Sequence, residues 1–596
     1  MDDTKPLASD DRTNTNYSAI SGIPPASTDS GDAKKKPPRL SDPHSETNIR
    51  KNKHDVVDVT EAFGDFESAL NTVGGFGRYQ LLLIVVLQWS ITQFAGNYVI
   101  LPLATYAPDV DCMYNISAEH GVAPVAGSNY GGGKQMDDIA LHPYTHERFC
   151  ARYTSGECDK VHWKAPYFHT IIQEWALICD HDYVPELINS IQTLGNFLAL
   201  IVIGVLSDLL GRKSVCCVCF TLLLVVSPIS TTAKSWAWFA STRCVVGALS
   251  TAASTVLFVW SMECVNKEYN IVMNIMSMWH IGYIVSSLIG FLTRGWRRYL
   301  VALNIIGAPL LFVYMYLSDS PRWLVQANKL EDAANALTRM ARTNGRKIRI
   351  TPKSLESIPR DACDSSVSGC GFGDVTRLFA TRHMASCTAL ITFLNIAVSC
   401  TSASYLFQIS LFSGDPALKF LIFGVLRLLT APVVFLLDRC FIGWGRRQMV
   451  CTPFFLITCC LGVASANKMG LLRLVASHGE RVEFFGMLLA AVLCNFIWVG
   501  NGQYTVELFP TTLRNTAAGF TTLFDPLGVI FVQQLVYLES ALWQPILFVT
   551  VTTATGAAFV VALVCLPETK GHALPDSVAE SIESAASREP DRRHNE

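Results

Sequence analysis

The feature that most constrains this chain is a series of apolar runs, each long enough to cross a lipid bilayer. They lie near 81–104, 186–206, 213–232, 237–260, 271–293 and 299–317, and again near 386–411, 417–437, 448–466, 484–505, 516–538 and 543–565. About 20 residues at 1.5 Å rise cover a hydrocarbon core of roughly 30 Å. A polar stretch near 319–385 divides the runs six and six. Composition agrees: 50% of the 596 residues are hydrophobic and 16% are charged, where soluble domains carry about 25% charged residues. The expected fold is therefore all-α, with twelve membrane helices in two six-helix bundles. The expected order is a disordered tail (1–72), a first bundle (73–318) with a large loop (106–184), a linker (319–385), a second bundle (386–566) and a second tail (567–596).

Charge sets the orientation. Arg212, Lys213, Arg439, Arg446, Arg447, Arg514 and Lys570 fall at ends that an even-numbered topology puts on one side, and the 319–385 segment adds more. The positive-inside rule makes that side cytoplasmic, with both tails there. Arg294, Arg297 and Arg298 break the pattern, in the outer turn between the fifth and sixth runs. No apolar segment of the signal-peptide kind opens the chain. The 106–184 loop then lies outside. It contains Cys112, Cys150, Cys158 and Cys179, an even number that implies two disulfides with three possible pairings. It also contains the sequon Asn115-Ile116-Ser117, a glycosylation site at Asn115.

Enzyme signals fail one by one. Gly127 to Gln135 resembles a phosphate loop, but Gln135 stands at the Ser/Thr position and the segment is extracellular. Cys216-Cys217-Val218-Cys219 has zinc-ligand spacing inside an apolar run, without a second pair, and His142 and His146 read as solvated loop residues. No coupled nucleophile and base is visible. The expectation is no enzyme, no cofactor and no metal. A net charge of −2 points to no nucleic-acid partner, and no nucleotide site is visible. The expected partners are the lipid bilayer and a small solute moved by gradients.

Two charge clusters mirror one another across the halves. The first is Ser207-Asp208-Leu209-Leu210-Gly211-Arg212-Lys213, and the second runs from Asp438-Arg439 to Gly445-Arg446-Arg447. Both read as Asp, Gly and two cations between apolar runs, which points to a duplicated membrane unit. Ionisable residues inside the runs are rarer. Arg427 lies near the middle of the eighth, Asp525 near the middle of the eleventh, ahead of Pro526 and Gly528, and Arg243 in the fourth. Such a residue costs about 2.5–3.5 kcal/mol at the bilayer centre. Two readings stay open: Arg427 and Asp525 neutralise one another, or they meet a charged substrate. Ser254, Phe258 and Met262 recur at helical spacing on one face of the fourth run.

These residues, in this order, resemble the organic ion transporters of solute carrier family 22, within the major facilitator superfamily. Val73-Gly74-Gly75-Phe76-Gly77-Arg78-Tyr79-Gln80 is similar to the family's approach to helix one, and Glu174-Trp175-Ala176-Leu177-Ile178-Cys179 to its segment before helix two. Ser318-Asp319-Ser320-Pro321-Arg322-Trp323-Leu324, Glu507-Leu508-Phe509-Pro510-Thr511 with Arg514, and Pro567-Glu568-Thr569-Lys570-Gly571 resemble its later motifs. The match runs over roughly 70–575.

The resemblance implies two bundles rocking around a central cavity. It makes Asp208, Arg212, Lys213 and Glu263 an inner latch of the first bundle. Asp438, Arg439, Arg446, Arg447, Glu507 and Arg514 form that of the second, with Arg322 and Glu568 joining them. The family's lining positions fall on Ser254, Phe258, Met262, Tyr405, Trp498 and Val499. A helix-eleven Asp goes with cation transporters in this family, so Asp525 favours cations, although its register is one residue short. Arg427 points the other way, towards anions. The expectation is a plasma-membrane transporter of small organic ions, with cations or zwitterions favoured. An anion transporter and a neutral-solute, sugar-like carrier are alternatives. Leu209, Asn270 and the longer second latch depart from the family pattern, and they support a further alternative, a transport-dead relative acting as receptor or scaffold.

Overall fold

The computed structural model describes residues 57–107, 110–113, 149–151, 153–155, 160–163, 167–266, 269, 273, 279–358, 372–408, 414–440, 445–472, 476–510 and 513–569. Helices carry nearly all of it. In the first half they are α1 (Arg78–Ala104), α2 (Val184–Leu210), α3 (Arg212–Ser230), α4 (Trp236–Glu263), α5 (Trp279–Thr293) and α6 (Trp296–Tyr316). In the second half they are α7 (Arg382–Gln408), α8 (Pro416–Cys440), α9 (Arg446–Lys468), α10 (Ala476–Leu508), α11 in two pieces (Arg514–Leu523 and Asp525–Ala541) and α12 (Ile546–Cys565). Among the described residues, eleven helices are long and apolar enough to cross a membrane, and α5, at 15 described residues, is a shorter apolar helix in the place of the fifth run. A helix keeps its backbone hydrogen bonds within itself, which is what lipid demands. Apolar side chains also cover the outside: Leu198, Val202, Val205 and Phe312 are each at least 47% exposed.

The break in α11 has a local cause. Pro526 has no N–H to donate to the preceding turn, and the helix restarts at Asp525 with Pro526 in its first turn. Gly528 then lets α11 lie against α7, where an added Cβ would meet Ile396 O at 3.1 Å and Cys400 Sγ at 3.2 Å.

Two faces are distinguishable. The linker face carries the ends of α2, α4 and α6 and the described residues of the 319–385 segment; the loop face carries the ends of α1, α5, α7, α9 and α11. Among the described residues, the main contacts between the bundles are α2 with α11 and α5 with α8, and Tyr98 of α1 also meets the Phe407 ring of α7 at 6.1 Å. Towards the loop face, Gln534 Nε2 donates to Ser190 Oγ at 2.7 Å and Gln533 Nε2 to Thr193 Oγ1 at 3.1 Å. Gly424 of α8 lies against α5, where an added Cβ would be 2.8 Å from Ile284 Cγ1 and 3.2 Å from Ile284 N.

The apolar core follows the same division. One contiguous cluster joins loop-face residues of the first bundle, such as Val99, Phe239 and Trp296, to the core of the second, including Phe420, Phe454 and Phe548. A separate cluster fills the linker-face half of the first bundle, with Leu83, Trp260 and Tyr314 packed together with Trp323 and Leu337 of the linker segment.

The tail differs from expectation. Residues 57–72 were expected to be disordered, yet 57–59 form a strand and 66–73 a helix. Val57–Val59 pairs in parallel with Ile348–Ile350. Helix Phe66–Val73 is capped by Asp65, whose Oδ1 accepts from Ser68 N at 3.0 Å. Phe66, Ala69, Leu70 and Val73 share one face and are buried with the cluster that holds helix Leu330–Thr343. Burial of that apolar stripe offsets the ordering cost. In the loop, Val110–Met113 pairs antiparallel with Lys160–Trp163, and Cys150 is disulfide-bonded to Cys179. Asn115, Cys158 and the side chain of Cys112 lie outside the described residues.

Gly424→Val would force a β-branched side chain into the α5–α8 contact. Overpacking of this kind costs about 1–3 kcal/mol. Thermal unfolding of the detergent-purified chain is expected to show a lowered midpoint, and an unchanged midpoint would mean that the contact yields freely.

Candidate functional site

The first charge cluster forms as a closed knot at the linker face. Arg212, at the start of α3, is 7% exposed. Its Nη1 lies 2.6 Å from Asp208 Oδ1 and donates to Ser207 O at 3.0 Å. Its Nη2 lies 3.0 Å from Glu263 Oε1, and its Nε donates to Glu263 Oε2 at 3.2 Å. Such charge-assisted bonds are the stronger kind. Lys213 acts through its ammonium and backbone: Nζ donates to Met315 O at 3.0 Å and Leu317 O at 2.5 Å, and its N–H donates to Asp319 Oδ1 at 3.0 Å. Trp323 Nε1 donates to Asp208 O at 2.8 Å. Arg322 pairs with Glu67 of the tail helix and lies over the Phe66 ring at 5.1 Å.

The second cluster repeats the plan. Arg446 Nε lies 3.1 Å from Glu507 Oε1. Glu568 accepts from the backbone N–H of Arg446 at 2.8 Å and of Arg447 at 3.2 Å, at the N-terminus of α9, where the helix dipole favours an anion. Gly445 makes this approach possible, since an added Cβ would lie 2.0 Å from Glu568 Oε2. Arg447 Nη2 reaches Leu563 O, Thr569 Oγ1 reaches Glu507, and Arg514 Nη2 donates to Phe509 O at 3.5 Å. The side chains of Asp438 and Arg439 lie outside the described ones. These contacts run within a bundle, or from the first bundle to the linker segment and tail.

The residues expected to line a cavity are spread over five helices, α4, α7, α8, α10 and α11. Asp525 is half-buried at the α11 break, and its Oδ1 is enclosed without a hydrogen-bond partner. Arg427 is 6% exposed; its Nη2 donates to Asn495 Oδ1 at 3.3 Å, its guanidinium lies 5.3 Å from the Phe423 ring centre, and its Nε has no acceptor. The structure does not pair Arg427 with Asp525; Asn495 and Phe423 take that place. Tyr405 is fully buried, its ring tilted at 41° to Phe423 with centres 4.8 Å apart, and its O–H donates to Lys419 O at 3.5 Å. Trp498 is half-buried and Val499 is 37% exposed. Ser254, Phe258 and Met262 are half-buried on α4, Ser254 Oγ donating to Thr251 O at 3.0 Å.

Other polar centres had weaker sequence signals. Arg243 is fully buried and ties three helices: Nε donates to Gln192 Oε1 at 2.7 Å and Nη2 to Asn97 O at 2.6 Å. Only its charge was conspicuous; its neutral partners were not. At the loop face Glu174 accepts from Trp296 Nε1 at 2.9 Å and from Arg297 Nε at 3.2 Å. Arg297 also reaches Ala233 O at 2.7 Å, so this outer cation is held by specific partners. That explains one exception to the charge rule.

Burial alone would raise the Glu174 pKa. The hydrogen bonds from Arg297 and Trp296, with the charges of Arg297 and His169, outweigh it and hold the carboxyl below the ordinary value. A depressed folded pKa contributes stability above the unfolded value, lost as pH falls through the folded one. Thermal unfolding between pH 7 and 3 is therefore expected to lose part of its acid limb in Glu174→Gln, with a lower midpoint at neutral pH. Parallel curves for the two proteins would contradict this.

Comparison with known proteins places this geometry. The family model described as "Sugar (and other) transporter" matches residues 141–577. Solute carrier family 22 member 7 of Mus musculus is 25% identical over 551 residues, covering 86% of this chain and 96% of the relative. Solute carrier family 22 member 15 of Xenopus tropicalis is 25% identical over 523 residues, covering 87% and 90%. Among solved structures, the inward open conformation of the xylose transporter XylE from E. coli superposes with a TM-score of 0.53 at 13% identity, covering 85% of this chain and 100% of that one. This is the major facilitator fold. The chain belongs to the sugar (and other) transporter family, as a multi-pass membrane transporter with relatives in solute carrier family 22.

Proposed function

We propose that this chain carries small organic ions, cations or zwitterions first among them, across the plasma membrane by alternating access, with both termini in the cytoplasm. The observation that carries the reading is the asymmetry of the core. One apolar cluster runs through both bundles at the loop face, while the linker-face half of the first bundle keeps its own. A protein closed on one side in this way has an opposite state to reach. The knots around Arg212 and Arg446 would gate that exchange, since pairs made in one state and remade in the other bias a two-state equilibrium.

Substrate charge is argued from Asp525 and Arg427. Each holds a buried polar atom without a partner, and an unmade bond of this kind costs about 1–3 kcal/mol or more for charged groups. A solute bearing an ammonium would satisfy Asp525, and one bearing a carboxylate would satisfy Arg427. Phe258, Tyr405, Trp498 and Val499 would supply walls, with aromatic faces suited to cations. A neutral solute is the second reading, favoured by the description of the matched family and by the xylose transporter with the same fold.

Uptake of labelled quaternary ammonium, carboxylate and hexose tracers in one expression system separates these readings. Asp525→Asn is expected to cut cation uptake at least tenfold at normal surface level, since a hydrogen bond to a charged group is worth about 1.5–3 kcal/mol. Unchanged uptake removes Asp525 from the mechanism. Arg427→Ala is expected to alter the ranking of anions against cations, and an identical profile removes Arg427. Absence of uptake across the whole panel would favour a receptor or scaffold.

A further inference from the structure

At the loop-face end of the second bundle, four helices gather two carboxylates and one ammonium. Glu483 of α10 and Glu539 of α11 are only 6% and 7% exposed. Lys468, the last residue of α9, stands between them, with Nζ 3.3 Å from Glu483 Oε2 and 3.8 Å from Glu539 Oε1. Asn467 Nδ2 donates to Glu483 Oε1 at 2.7 Å, and Gln408 Nε2, at the end of α7, donates to Glu539 Oε2 at 2.5 Å. The charges do not balance, since two anions share one cation. A second observation points the same way: Gln408 is 1% exposed, yet its Oε1 accepts no hydrogen bond. An orphaned acceptor beside a surplus carboxylate lacks one proton.

Among the described residues, Lys419 of α8 and Glu480 and Arg481 of α10 are further charged groups at the loop face of this bundle, while the ion pairs of Glu483 and Glu539 are with Lys468. Among the described residues, α12 presents the Phe548 ring to Lys468 at 5.9 Å, and α2 presents Ser190 and Thr193 to α11. Glu186, one turn before Ser190, is itself acidic and accepts from Asn189 at 3.0 Å. Tyr537 is the other titratable group near this end of α11. Lys468 already fills the gap between the carboxylates, which leaves too few oxygens for a metal cation wanting six or more ligands.

We propose that Glu539 is a proton-binding site and that its loading holds the loop face shut. The neutral acid donates its O–H to Gln408, whose amide turns to offer Oε1, and Lys468 stays with Glu483. The proton comes from the solution at the loop face and returns there. Once it leaves, a surplus negative charge sits between α7, α9, α10 and α11 and draws in water. The lever is short. Gln534 and Gln533 lie five and six residues before Glu539, and they make the hydrogen bonds to α2 that cross the seam. Release of the proton would therefore loosen the contact that closes this side.

The test reads opening directly and does not depend on transport, so a failed uptake panel leaves it standing. Ile188→Cys, a fully buried position at the loop-face end of α2 that leaves Ser190 and Thr193 in place, is labelled in the full-length chain on intact cells with a membrane-impermeant maleimide at pH 5.5 and 8.0, with labelling of Leu542→Cys, an exposed loop-face position, as the reference for thiol reactivity. The expected result is a normalised labelling at least threefold higher at pH 8.0. With Glu539→Gln, which mimics the neutral acid, labelling stays low at both values. Glu483→Gln, which removes the surplus charge differently, also flattens the response and serves if the first variant folds poorly. An undiminished pH response in both variants overturns the proposal. So does a response that appears only when sodium is present and vanishes in choline.

Discussion

The seam between the bundles is the contact on which the rest of the architecture depends. It is made mainly by two helix pairs, α2 with α11 and α5 with α8. Between apolar helices in lipid, close packing and a few hydrogen bonds have to supply the attraction that water would otherwise drive. Here Gly424 allows the close approach, and Gln533 and Gln534 supply the bonds to α2. An apolar cluster runs across the same seam, from Val99 and Trp296 to Phe420 and Phe548.

Strong interactions sit elsewhere, where they keep each half rigid. Arg212 with Asp208 and Glu263, Arg446 with Glu507, and Glu568 on the start of α9 tie helix ends within their own bundle. Arg243, Gln192 and Asn97 do the same inside the first bundle. The tail helix Phe66–Val73 and the helices Pro321–Gln326 and Leu330–Thr343 extend the first bundle's linker-face core, so that this half reads as one stiff body. Ion pairs kept within each half leave the seam to packing and neutral hydrogen bonds, as rigid-body rocking would require.

The spans were legible because lipid demands long apolar runs, and the two charge clusters because Asp, Gly and paired cations stand out between those runs. The facing of individual side chains was not. Helices apolar on every side carry no amphipathic signal to orient them, so nothing in the pattern around Arg427 indicates Asn495 and Phe423 as its neighbours. Arg243 was conspicuous by charge, but its partners are neutral amides of two other helices. The reverse holds for the tail. Phe66, Ala69, Leu70 and Val73 carry the helical spacing openly, yet a strongly polar segment on one side conceals a stripe of four residues. The cluster around Glu539 was split over four helix ends, and only the fold brings it together.

The central claim is that the two halves exchange which face is closed, and paired spin labels measure it most directly. One pair, at Tyr183 and Leu542, reports the loop-face ends of α2 and α11; another, at Leu210 and Ala518, reports their linker-face ends. In liposomes, addition of a panel of organic cations, zwitterions and anions should change the two distances in opposite senses for at least one solute, the loop-face pair lengthening as the linker-face pair shortens. Two distances that stay fixed with every solute, or that lengthen together, would contradict the account.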